Sequence, residues 1–121
     1  MEDWEQDFAY QRVRHLVKAR FNRPSLPDLN ALLFLIGVQE LGRWRGDFSK
    51  EEKQDLMHVA VCRLLAADGH YRFEGRDDEG WPHYALVGKI PPTDLPGQEQ
   101  LLKRKIIDYF EELEVSEGRL D

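Results

Sequence analysis

His58 and Cys62 stand four residues apart in a stretch of helical periodicity, so both project from one side of a helix, a spacing that suits two metal ligands. His70 and His83 fall on the outer face of a hairpin that follows this helix, diagonal to one another. No CxxC or HxxxH pair fixes a ligand geometry, and Cys62 has Val59 and Ala66 beside it, where a free cysteine behaves as a small apolar residue. The expectation is therefore no metal and no cofactor. Nucleophilic catalysis fares no better. Ser49 is placed to cap a helix, Ser25 sits between prolines, Ser116 lies in the tail, and no G-x-S-x-G occurs. Asp77, Asp78 and Glu79 crowd a single turn, where short carboxylates bond locally to the backbone. The glycines form neither a P-loop nor a G-x-G-x-x-G after a strand. The chain is expected not to be an enzyme, and no catalytic residue is assigned.

Binding surfaces are the other way to do work. Arg12, Arg14, Lys18, Arg20 and Arg23, with Arg43 and Arg45 nearby and His15 when protonated, are of the type that contacts phosphates. Against this stand a net charge of −6 and a simpler reading, in which these cations complement the dipole at the end of the first helix. Nucleic-acid binding through that helix is thus the alternative, not the first reading. Trp4 and Phe8 fall off the apolar stripe of the same helix, and tryptophan is favoured at binding hot spots. Together with Trp81 and His83 on the hairpin, they form the expected contact for a protein partner or a second copy of the chain. Trp44 is expected to pack under its loop.

These side chains need elements to hold them. Residues 3–21 suit a first helix with Ala9, Val13, Leu16 and Val17 on one side, acidic at its start and basic at its end. Pro24 and Pro27 bracket a break, after which Asp28 suits the N-cap of a second helix to about Leu41, apolar all round and followed by Gly42. Ser49-Lys50-Glu51-Glu52 is a capping box opening a third helix that stops at Asp68-Gly69. Phe48 and Lys53 occupy the staple positions, so no hydrophobic staple forms there.

The segment from His70 to Val87 reads as a hairpin turning at 77–80, with Phe73 opposite Tyr84 and Tyr71 opposite Leu86. That register predicts a core face of Tyr71, Phe73, Tyr84 and Leu86. Helix then hairpin is also a winged-helix-like order, but a wing tip of Asp77, Asp78 and Glu79 and a third helix led by Glu51, Glu52 and Asp55 oppose a phosphate backbone. Pro91, Pro92 and Pro96 suggest an extended connector. A last helix follows with Leu102, Ile106, Tyr109, Phe110 and Leu113 as its stripe. Its charges run Lys103, Arg104 and Lys105 early and Glu111, Glu112 and Glu114 late, against its dipole. The basic end of the first helix compensates if the two helices pack parallel.

A length of 121 residues with 41% hydrophobic content fits one domain over 1–121, with 116–121 expected to fray. The run around Ala31–Ile36 is far short of the ~20 apolar residues of a membrane span. The acidic start lacks the pattern of a secretory signal, and one cysteine allows no internal disulfide, so a cytoplasmic location and no membrane contact are expected. The stretch Pro27-Asp28-Leu29-Asn30-Ala31-Leu32-Leu33-Phe34-Leu35-Ile36-Gly37, through Lys53-Gln54-Asp55-Leu56-Met57-His58-Val59-Ala60 to Gly80-Trp81-Pro82-His83-Tyr84, resembles a group of small bacterial proteins without assigned activity. That resemblance implies no reaction, cofactor or catalytic residue. The expected fold is α+β, with four helices and one antiparallel hairpin after the third. The expected role is a small interaction or regulatory module.

Overall fold

The computed structural model describes residues 3–89 and 94–116, with the backbone alone for residues 115 and 116. Its order is α1 (Asp3–Arg20), α2 (Leu29–Leu41), α3 (Lys50–Ala66), β1 (Tyr71–Arg76), β2 (Pro82–Leu86) and α4 (Leu95–Ser116), an α+β fold with an antiparallel hairpin between the third and fourth helices. Two compact units result, one holding α1 and α4, the other α2, α3 and the hairpin.

In the first unit, Tyr10, Val13 and Val17 of α1 and Ile106, Ile107, Tyr109 and Phe110 of α4 are buried, close to the expected stripes. Gln6 Nε2 donates to Gln100 Oε1 at 2.6 Å, and Arg12 approaches Glu114 at 3.7 Å. Advancing along α1 therefore advances along α4, and the helices run parallel. Glu114, one of the late carboxylates of α4, thus has Arg12 of α1 beside it. Lys103 also lies over the Tyr10 ring at 5.1 Å. α1 ends where Asn22 adopts a φ of 53°, with Asn22 donating to the Ala19 carbonyl and Arg23 to that of Lys18. This is a Schellman closure, using asparagine's tolerance of left-handed backbone. α4 starts earlier than the prolines suggest. Asp94 accepts from the Gly97 amide at 2.9 Å as an N-cap, and Pro96 sits in the first turn, where its missing N–H would have had no helical partner. Pro91 and Pro92, and the tail beyond 116, lie outside the described residues.

In the second unit α2 is buried nearly all round, from Leu32 and Leu33 through Leu35–Val38 to Leu41. It lies so close to α3 that a Cβ on Gly37 would stand 2.1 Å from the Leu56 carbonyl oxygen. The capping box of α3 is present: Ser49 Oγ accepts from the Glu52 amide and Glu52 Oε1 from that of Ser49. Phe48, lacking a staple partner, is buried instead with Val38, Leu41 and Leu56.

The hairpin has the expected pairs Tyr71↔Leu86 and Phe73↔Tyr84, but a bulge between Phe73 and Gly75 shifts the rest, so Gly75, at φ 106°, faces His83. The expected core face is only half realised. Tyr71 and Tyr84 are half-buried, whereas Phe73 is 51% and Leu86 62% exposed. A single helix some 10 Å across cannot cover a bulged and more strongly twisted ribbon. The tip is instead tied down by Arg76, which donates to the carbonyls of Glu40 (2.7 Å) and Gly80 (2.8 Å), the first of them at the C-terminal end of α2, where a cation is favoured.

Candidate functional site

On α3, Glu52, Asp55, Val59 and Cys62 follow at spacings of three, four and three, with His58 three residues after Asp55 and four before Cys62, and so share one side of the helix. The hairpin loop and the start of β2, with Asp77, Glu79, Trp81, Pro82, His83 and Tyr84, face that side, and an open groove of about 540 Å³ lies between them. Each wall is fixed from below. Arg45 grips both oxygens of Glu52 at 3.0 Å while stacking over Phe48, so the start of α3 is held to the preceding loop. The Asp77 Oδ1 atom accepts from the amides of Glu79 (2.9 Å) and Trp81 (3.0 Å), and its Oδ2 bonds His83 Nε2 at 2.9 Å. The His83 bond and then the Trp81 amide hold the Asp77 carboxyl below the usual carboxylate range. Bonds from the Ser49 backbone and from Arg45 do the same for Glu52.

The chemistry open to this groove is limited. His58 Nε2 stands 3.5 Å from Cys62 Sγ, but Cys62 is buried, and burial pushes its thiol up, away from the thiolate a nucleophile requires. Asp77 orients the His83 imidazole as an acid–base pair would, yet among the described residues no hydroxyl or thiol is bonded to His83. Three of the four residues of ligand type read from the sequence, His58, Cys62 and His83, line the groove; His70 does not. Among the described residues no three His, Cys, Asp or Glu side chains are placed to hold a metal.

The partner residues expected from the sequence separate into two kinds. Trp4 and Phe8 are each 71% exposed, one turn apart on α1. Trp81 is half-buried against the cluster of Val38, Leu41, Phe48 and Leu56, and His83 is exposed but bonded to Asp77. Of the basic set, Arg12 faces Glu114, Arg14 donates to the Pro27 carbonyl (2.7 Å) and to Gln11, Lys18 and Arg20 are half-buried, and Arg23 is exposed. Trp44 forms an edge-to-face set with Phe34 and Phe48, ring centroids 6.0–6.2 Å apart, yet keeps 58% of its surface exposed. The exposure of Phe73 and Leu86 is not foreseen by the sequence reading, because strand alternation tells which side chains share a face and not whether anything covers it; Val87, on the opposite face, is also exposed. Among the described residues no helix is long and apolar enough to cross a membrane. Comparison with family models, with curated proteins and with solved structures finds no match to this chain.

Proposed function

We propose that this chain is a small cytoplasmic interaction module without catalytic activity, engaging a protein through the face of α1 that carries Trp4 and Phe8. The observation behind this reading is the exposure of those two side chains, 71% each, on successive turns of one helix. Large aromatics cost solubility when left in water and contribute most when a partner desolvates them. The hairpin residues Phe73, Leu86 and Val87 are a separate exposed apolar set on the other unit. Burial of Trp81 against core residues supports a structural role for it, which leaves α1 as the stronger contact. The net charge of −6 weighs for a protein partner over a nucleic acid. Native pull-downs with the wild type and with a Trp4→Ala, Phe8→Ala double variant test the reading. Captured partners should fall away with the variant; an undiminished set would overturn it.

A further inference from the structure

Trp4 and Phe8 belong to a longer exposed line. Trp4, Phe8, Gln11 and His15 are all exposed and follow one another at spacings of four, three and four, the seam of a two-stranded helix pairing. Glu5 and Arg12, seven residues apart, flank one side of this seam, and Asp7 and Arg14, also seven apart, flank the other. On each side the acid comes first and the base second. A parallel pair of such helices would set Asp7 against the opposing Arg12 but leave Glu5 and Arg14 facing no opposite charge, and would bring the acidic first turns, Asp3 and Glu5, side by side. An antiparallel pair sets opposite charges together on both flanks.

We propose that the occupant of this face is a second copy of the chain, with the two α1 helices antiparallel about a two-fold axis. Trp4 then packs beside the second copy's His15 and Phe8 beside its Gln11. Glu5 reaches the opposing Arg12 and Asp7 the opposing Arg14, and symmetry repeats each contact. The opposed helix dipoles favour the same orientation. Arg12 is available for this: its side chain is 52% exposed, and at 3.7 Å its approach to Glu114 is an ion pair without a hydrogen bond. Arg14 gives Nε and Nη1 to Pro27 and Gln11, and a guanidinium has five donors. The inference rests on the reading of Trp4 and Phe8 as an interaction surface and adds the identity of the partner.

Sedimentation equilibrium of the full chain, up to about 1 mM, provides the test. The wild type should approach the mass of two chains, and the Trp4→Ala, Phe8→Ala variant should stay at one. Glu5→Arg and Arg12→Glu, each alone, place like charges together at both symmetric sites and should weaken pairing by roughly tenfold. An equal mixture of the two variants should pair as a heterodimer with near wild-type strength, because every contact is again between opposite charges. Asp7→Arg mixed with Arg14→Glu gives the same cycle on the opposite flank, should Arg12→Glu disturb its contact with Glu114. A wild type that remains a single chain refutes the second copy and leaves the protein-partner reading to the pull-down. Pairing that survives loss of Trp4 and Phe8 refutes the face for both. Pairing that needs the aromatics but is not rescued in either mixture refutes the antiparallel geometry.

Discussion

Replacing Gly37 with alanine should destabilise the protein, although the same change in most helices does the opposite. Helix propensity alone favours alanine by about 1 kcal/mol. Here the added Cβ would meet Leu56 backbone at 2.1 Å from its oxygen, 2.6 Å from its carbonyl carbon and 2.9 Å from its Cα. Backbone in the middle of α3 cannot rotate away as a flexible side chain would. Ordinary contact begins at 3.4 Å, so α2 and α3 must part locally by up to 3.4 − 2.1 = 1.3 Å. That movement loosens Leu32, Ile36, Leu56 and Ala60, all fully buried, on top of the direct strain. Overpacking of this kind costs about 1–3 kcal/mol, and the loosened core adds to it. The net loss should be about 1–3 kcal/mol after the propensity gain. Urea unfolding followed by far-ultraviolet circular dichroism measures it, with Gly46→Ala as the control. A Cβ there meets nothing within 4 Å and the backbone is not left-handed, so the control should be neutral or gain up to about 1 kcal/mol. A Gly37→Ala variant as stable as the control would refute the close helix approach.

Three further outcomes follow from the same structure. Because the folded pKa of Asp77 lies below its unfolded value, its contribution is fully present above the ordinary aspartate range, about 3.9, and is lost as pH falls through the lowered value. Melting curves from pH 5 downward should steepen in wild type relative to Asp77→Asn, which keeps an acceptor for the Glu79 and Trp81 amides but has no charge to lose, pH 5 being about one unit above that range. Cys62 should resist thiol reagents in the native protein and react on unfolding, since its thiol is both buried and shifted away from thiolate; rapid native labelling would contradict this. Trp4→Ala and Phe8→Ala should each change thermal stability by no more than about 0.5 kcal/mol, while Phe48→Ala, buried among Val38, Leu41 and Leu56, should cost about 3 kcal/mol or more.

What the sequence discloses and what it hides divide along a physical line. Features set by residues close in the chain are legible: the Ser49–Glu52 box, the Gly42 and Gly69 ends, the first hairpin pairs and the helical stripes are all local patterns. The parallel pairing of α1 and α4 is one arrangement the charge order offers, because a helix charged against its own dipole needs an outside partner, and Arg12 beside Glu114 is consistent with it. Features set by a distant neighbour are not legible. Gly37 reads as a blemish in an apolar run, and only the position of Leu56 makes it the residue that lets two helices touch. Nothing local marks Arg76, and only the fold brings it to the carbonyl of Glu40. Phe73 and Leu86 share the face the register assigns them, but whether that face is covered depends on how wide α3 is beside a bulged ribbon.

The same division explains why the candidate site splits as it does. Among the residues of chemical type in the groove, Glu52 is held by its cap and Arg45, Asp77 by its loop and His83, and Cys62 is buried. Trp4 and Phe8 keep most of their surface exposed among the described residues. A polar group that already has its partners costs further energy to redirect, whereas an exposed aromatic gains by any contact that removes it from water. On the reading proposed above, burial of the line from Trp4 to His15 by a second copy would therefore gain free energy that the residues fixed in the groove do not offer.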